Sequence, residues 1–346
     1  MQHVQIADRV LGPGNPVFIV VETGTTANGD IATALAMIDA AKDGGADAIK
    51  FQIIGADHFM SDKSVSYDYE WAGGTKSENM YEMFKGLEFS LEEWKQIRDH
   101  CARRDIIFYA SIDYADGVDM GVELGLAAFK LSSWDVGNLP LIRHMARTGK
   151  PVQVDLGPTR LSDIEKAIDA IRSEGNEQIV LVHCSHAKED AGINVRSVPY
   201  LEQVFGLPTG YSCDSRDVVP DITAVALGAR LLEKRLTLDG SHPGHHHVKA
   251  VEPDEFKEWV TTIRRAEAVL GKHAVVPSAE DLRQKELYFV SVVAGTEIPA
   301  GTRIERDMLA CKRPGSGISP DLIDVLVGRV AQRDIQRDEL LSWDAV

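Results

Sequence analysis

Hydrophobic and polar positions alternate along the chain in one recurring pattern. An amphipathic stretch with apolar residues three and four apart is followed by a turn that usually contains Gly, then by a short apolar run with β-branched residues. The runs are VFIVVE (17–22), ADAIKFQ (46–52), IIFYAS (106–111), AAFKLSS (127–133), PVQVDL (151–156), QIVLVHC (178–184), PTGYS (208–212) and ARLLEKR (229–235). Between them the spacing predicts helices in IATALAMIDAAKDGG, SLEEWKQIRDHCARR, NLPLIRHMARTG and LSDIEKAIDAIRSEG, mostly closed by Gly. Eight β/α units over about 270 residues predict an α/β chain folded as a TIM barrel. No glycine-rich G-x-G-x-x-G turn follows the first run, which argues against a doubly wound sheet.

The pattern changes after EPDEFKEWVTTIRRAEAVLG. Short extended runs punctuated by Gly and Pro then predict a small β-rich domain over 283–346, joined to a barrel over 1–272 by a linker at 273–282. A second irregular stretch, Ile53 to Tyr81, is rich in Ser, Asp, Gly and Tyr and follows the second strand. It is expected to form a lid or rim loop at the catalytic face.

Charge narrows the partners. With 37 Lys and Arg against 53 Asp and Glu, the net charge is −16. Neither a nucleic-acid partner nor a polybasic membrane face is expected, because each needs a basic stripe. There is no signal pattern and no apolar run near the roughly 20 residues that cross a bilayer, so the chain is expected to be cytoplasmic. Cys101, Cys184, Cys213 and Cys311 are far apart and suggest neither a disulfide framework nor a zinc knuckle.

In a TIM barrel the active site forms at the C-terminal ends of the strands. Polar residues are dense there: Glu22, Lys50, Gln52, Ser111, Asp113, Lys130, Ser133, Asp135, Asp155, His183, His186, Tyr211, Ser212, Asp214, Glu233, Lys234 and Asp239. Taken singly, most such residues are solvated or belong to rim ion pairs. Three lysines at three strand ends are harder to dismiss, since a Lys in a barrel mouth binds anions or serves as a neutral amine for imine chemistry. The loop after strand eight reads SHPGHHHVK and brings His242, His245, His246 and His247 over the mouth, where a divalent ion would act as a Lewis acid.

These motifs resemble the sialic acid synthase family and its spore coat polysaccharide protein E relatives. VVETGTTANGD and AAKDGGADAIKFQ are similar to the first two barrel units of that family, AEIGxNHNGD and AKxxGADAVKFQ. FKLSSWDVGNLPLI, GKPVQVDLG, IVLVHC, LPTGYS, ALGARLLEKRLTLD and PGHHH follow in order, and KRPGSGISPDLIDVLVGRVAQRDIQRDELLSWD resembles the antifreeze-like (SAF) domain of the same proteins. The resemblance implies a transferase that condenses phosphoenolpyruvate with the open-chain aldehyde of an N-acyl sugar in polysaccharide biosynthesis. It also implies a Mn²⁺ or Mg²⁺ cofactor and a domain-swapped homodimer. Carried over by position, Glu22, Lys50 and Lys130 are expected catalytic residues, and Lys234 is expected with them as the third strand-end lysine. Gln52, Ser133, Asp135, Asp155, His186, Tyr211, Ser212, Asp239 and Arg313 are the expected substrate contacts, Arg313 being lent by the partner's small domain.

Departures from the family pattern fall at the metal and phosphate positions. NHNG becomes Thr26-Ala27-Asn28-Gly29, YSDH ends in Asp214, and EKH ends in Arg235, so both metal-binding histidines are replaced. The serine of STG is Asp155, a phosphate-contacting Asn is His186, and the Asp of the PGPDH loop is His246. One reading is a rebuilt cation site of Asp214, His246 and His247, with Arg235 supplying part of the ion's charge. Another is a barrel adapted to a different acceptor or reaction, including an aldolase or lyase with a Schiff-base lysine, or a sugar-binding homologue without catalysis.

Overall fold

The structure is a computed structural model that describes residues 2–187 and 189–346 of the chain; the Cys213 thiol lies outside the described groups. Eight parallel strands close into a barrel: β1 (Phe18–Glu22), β2 (Ala48–Ile53), β3 (Ile107–Ile112), β4 (Phe129–Leu131), β5 (Val152–Asp155), β6 (Ile179–Ser185), β7 (Thr209–Cys213) and β8 (Leu231–Arg235). Each falls within or beside one of the eight apolar runs. The helices that follow them in turn are α1 (Ile31–Asp43), α2 (Leu91–Arg103), α3 (Ala115–Glu123), α4 (Leu139–Arg147), α5 (Leu161–Arg172), α6 (Ser197–Phe205), α7 (Val219–Ala226) and α8 (Pro253–Leu270). Local signals set their starts: Asp30 caps α1 by accepting from the Thr33 amide, and Ser90 with Glu93 forms a capping box on α2.

Strand parity separates two cores. Ile19, Val21, Ile49, Phe51, Phe108, Val152, Val154, Leu181 and Leu232 face outward into the helix layer. Phe18, Val20, Ala48, Tyr109, Ala128, Val180, Val182 and Leu231 face inward. The inner core is closed from one end by an N-terminal hairpin, Val4–Ile6 with Arg9–Leu11, whose Val4, Ile6 and Leu11 are buried with it. Because side chains alternate along a strand, the residues two beyond the inner apolar layer also point inward. In β1 that residue is Glu22; in β2 it is Lys50; in β4, Lys130; in β8, Glu233.

The segment expected as a rim loop contains regular structure: Ser66–Trp71 pairs antiparallel with Gly74–Asn79. Its turn is made by Ala72-Gly73-Gly74, with Gly74 at φ 127°.

Chain contacts divide the protein into 1–271 and 272–346. The second unit begins with a stretch that includes a solvent-exposed helix, Ala279–Tyr288, where the sequence suggested a linker running directly into strands. Beyond it, Ser291–Ala294 pairs antiparallel with Leu309–Lys312, and Val292, Ile298, Ile304, Ile318, Leu326, Ile335 and Leu341 form a core of their own. Among the described residues no helix is long and apolar enough to cross a membrane.

Candidate active site

The deepest polar layer of the barrel is a network of buried charges. The Lys50 ammonium is fully buried; it contacts the Glu22 carboxylate and lies 3.2 Å from Glu233. Lys130 lies 2.6 Å from Asp155, 2.8 Å from Glu233 and 3.6 Å from Glu22. Gln153 ties the carboxylates together, donating to Glu233 at 2.7 Å and Asp155 at 3.1 Å while its own carbonyl accepts from the Tyr109 hydroxyl at 2.8 Å. Two ammonium groups thus face three carboxylates.

Burial sets the protonation of this layer. Lys50 is pushed down to about 7 by burial, with Lys130 adding repulsion and Glu233 opposing. Lys130 is driven the other way: burial is outweighed by Asp155 and Glu233, which hold it well above the ordinary lysine range. Glu233, although buried, is held down at about 2 by the two lysines. Asp155 is pushed up by burial and by Glu233, against the pull of Lys130 and Lys50.

A second layer lies at the strand ends. Asp214 accepts from the Arg235 guanidinium at 2.6 Å, from Lys249 at 2.9 Å and from His186 at 3.3 Å. Burial opposes its charge, but these three partners hold it far below the usual carboxylate range. Ser133, Gly157 and His186 are close neighbours: a side chain at Gly157 would meet the Ser133 Oγ at 2.9 Å and His186 Nε2 at 3.5 Å. The exposed Trp134 ring stacks on His186 with centroids 5.4 Å apart. Across the mouth, Gln52 donates to Asp113 at 3.1 Å, and burial together with the neighbouring Asp135 raises Asp113 to about 7.

The histidine loop is held by the Ser66–Asn79 hairpin. Tyr67 meets His245 Nε2 at 3.0 Å, the Tyr69 ring stands edge-on to His245, and Lys76 donates to the Pro243 carbonyl. Burial, and then Arg235 nearby, keep His245 near 4 and His246 well below its ordinary value, so both are neutral.

Of the expected residues, Glu22, Lys50, Lys130 and Asp155 converge, with Gln52 and Asp135 on one side of the mouth and Ser133 and His186 on another. Ser212 pairs in register with both Cys184 and Glu233. Lys234 lies apart from this group: it has outward parity and donates at 2.8 Å to Asp221, which also accepts from Trp259 between barrel and helices. Tyr211 likewise faces outward, inside the helix-side core. Asp239 accepts from the amide and hydroxyl of Ser241 within its own loop. Arg313 donates to the Tyr288 carbonyl at 2.7 Å inside the C-terminal unit.

The expected cation ligands do not converge. His247 contacts Asn28 at 2.9 Å and Thr237 at 2.7 Å, and Asp214 is spent on three cationic or imidazole partners. Among the described residues, no group of three His, Cys, Asp or Glu side chains is arranged to hold a metal. The residues present therefore do not fit the divalent ion expected from sequence.

Glu233 and Asp113 stand among the polar strand ends visible in the sequence but carry no expected role there, and Gln153 and Tyr109 are not among those strand ends. The available signal was parity: Glu233 shares a face with Leu231 and Arg235, whereas Lys234 shares one with Leu232.

Comparison with known proteins agrees with this architecture. The NeuB family model matches residues 37–275 and the SAF domain model residues 289–346. The spore coat polysaccharide biosynthesis protein SpsE of Bacillus subtilis is 31% identical over all of this chain and 98% of that protein. Its crystal structure superposes with a TM-score of 0.68, covering 100% of this chain and 99% of the other. The N,N'-diacetyllegionaminic acid synthase of Legionella pneumophila is 30% identical over 97% of this chain and 96% of its own. The N-acetylneuraminic acid synthetase of Leptospira borgpetersenii, solved with citrate, gives a TM-score of 0.72 at 28% identity over 82% of this chain and 95% of that one. With a barrel and a C-terminal SAF domain matched in order along nearly the whole chain, the protein belongs to the NeuB family.

Proposed function

We propose that this chain is a nonulosonate-type synthase that condenses phosphoenolpyruvate with the open-chain aldehyde of an N-acyl sugar, in the cytoplasm, for surface or spore coat polysaccharide. The observation that carries the reading is the pair of buried ammonium groups, Lys50 and Lys130, at the floor of a mouth that also holds Ser133, Ser212 and His186. Buried lysines at the C-terminal ends of barrel strands suit a small polyanion. Relatives that match most of this chain carry names of legionaminic and sialic acid synthases.

The reaction balances as follows. The enol π pair of the donor forms the new C–C bond, and the aldehyde π pair moves onto its oxygen. Water adds to the donor's central carbon, giving one proton to that oxygen. Collapse to the ketone then breaks the C–O bond, and phosphate leaves with the other proton. Lys130 and Lys50 would neutralise the donor's carboxylate and phosphate, and Glu22, in contact with Lys50, would sit beside the reacting carbons to relay the water's protons. In a homodimer, Arg313 of the second copy would complete the sugar site.

Asp155 stands where the anion must enter. Three carboxylates against two lysines leave the empty layer with an excess negative charge, so the donor binds with uptake of a proton by Asp155, the carboxyl already pushed up by burial. Phosphate release from phosphoenolpyruvate should therefore require an N-acyl sugar such as N-acetylmannosamine, and the donor's KM should rise with pH. No release with any mannosamine-type or bacillosamine-type acceptor would sink the proposal.

The fall of Lys50 to about 7 also suits a Schiff-base lysine. Borohydride with pyruvate or a sugar aldehyde separates the two readings, since the condensation passes through no imine and leaves Lys50 unmodified.

A further inference from the structure

We propose that Arg235 is a built-in cation that stands in place of a divalent ion in this mouth and holds the carbonyl oxygen of the acceptor; the assignment rests on the condensation reading above. The oxygen and nitrogen donors that a cation would need at this end of the barrel are Glu22 at the end of β1, Asp214 just past β7, and His246 in the loop after β8. Asp214 bonds the Arg235 guanidinium directly, and Glu22 and His246 lie beside it across Gly24. Asp214 Oδ1 accepts from Nη1 at 2.6 Å. Glu22 and His246 meet Arg235 around Gly24, where an added Cβ would lie 3.1 Å from His246 Nδ1, 3.4 Å from Glu22 Oε1 and 3.5 Å from Arg235 Nε. A fixed positive charge thus lies beside these donors, and a divalent ion next to it would meet like-charge repulsion.

Two details make the guanidinium more than a structural ion pair. Its Nε is buried and has no acceptor among the described residues, and a buried donor left open in this way is a place for a ligand oxygen. Gly24, whose φ is 51°, brings bare backbone close to that nitrogen: even a Cβ there would lie 3.5 Å from Nε and crowd His246. His246 does not compete for the role. Its ring is neutral, and Nδ1 already lies 3.2 Å from the Thr25 hydroxyl.

The role in the reaction is specific. When the donor's enol carbon attacks, the C=O π pair of the aldehyde moves onto oxygen, and the guanidinium N–H groups hold that charge until the oxygen takes its proton from the attacking water. A preorganised donor aimed at a developing oxyanion contributes about 10²–10³ in rate. Asp214, Lys249 and His186 then act as positioning residues, keeping the guanidinium plane turned toward Gly24.

The test titrates the full-length enzyme with MnCl₂ by calorimetry and follows phosphate release with and without EDTA. The wild type is expected to show no saturable Mn²⁺ binding and no loss of rate with EDTA. Arg235→Ala is expected to lose about 10²-fold or more in kcat, with millimolar guanidinium chloride restoring part of the rate and MnCl₂ restoring none. Arg235→Lys, which keeps the charge and loses the Nε–H, should fall between the two; it and the wild-type titration decide the matter if the Ala variant does not fold. Saturable Mn²⁺ binding by the wild type, or rescue of Arg235→Ala by Mn²⁺ and not by guanidinium, overturns the proposal. A wild type that binds no Mn²⁺ and releases no phosphate with any acceptor refutes the condensation reading while supporting the assignment of Arg235 as the resident cation.

Discussion

Replacing Asp113 by Asn should remove a pH-dependent part of the barrel's stability. In the folded chain, burial and the nearby Asp135 carboxyl raise Asp113 from 3.8 to about 7, with Gln52 and then Lys130 pulling the other way. The folded state therefore binds this proton more tightly than the unfolded chain does. Its contribution is fully present below about pH 4 and is lost as the pH rises through about 7. A shift of about three units corresponds to about 4 kcal/mol over the whole window, of which about 2 kcal/mol falls between about pH 5.5 and pH 8. Asn has nearly the same shape and no charge to lose. Urea unfolding of both proteins at the two pH values isolates the effect, since other titrating groups cancel when the variant is subtracted. The wild type should lose about 2 kcal/mol more than Asp113→Asn on going to the higher pH. Asp135→Asn should reproduce part of this change by removing the repelling carboxyl. A wild type and variant whose stabilities track one another across the range would show that Asp113 is ionised in the native mouth, and the linkage would fail.

Asp155→Ser should lower the KM for phosphoenolpyruvate at and above neutral pH and flatten its rise with pH, as steady-state kinetics across the range would show; an unchanged profile would separate Asp155 from donor binding. Lys234→Ala should cost about 3–5 kcal/mol by leaving Asp221 buried without its partner, while kcat per folded molecule is retained; a selective loss of kcat would return Lys234 to the chemistry. Arg313→Ala should raise the KM for the sugar with little change in melting temperature, and an equal loss of both would reduce the C-terminal unit to a stabilising role.

The barrel was legible because each strand is a short apolar run bounded by turn residues, and eight of them could be counted. Lys50 and Lys130 were legible too, as charges in otherwise apolar strands. Lys234 was not, because polarity at a strand end says nothing about which face it takes; that depends on register with Leu231 and Leu232. The outward face of Tyr211 depends on register in the same way. Other parts depend on contacts between distant segments. The hairpin over Ser66–Asn79 carries Ser, Asp and Gly at positions where a buried strand would carry apolar residues, because it faces solvent and packs mainly through Tyr67 and Tyr69 against the histidine loop. The histidines of that loop suggest a cation site through their position over the mouth, since spacing alone fixes no geometry. In three dimensions His247 turns to Asn28 and Thr237, and Arg235 lies beside His246 across Gly24.

The most direct measurement uses phosphoenolpyruvate carrying heavy oxygen at the bridge between carbon and phosphorus, incubated with the enzyme and an N-acyl sugar aldehyde. Condensation with C–O cleavage places all of the label in the released phosphate, yields a chain-extended keto acid, and releases nothing without the sugar. Label retained in the organic product, or phosphate released at the same rate without the sugar, would contradict the account.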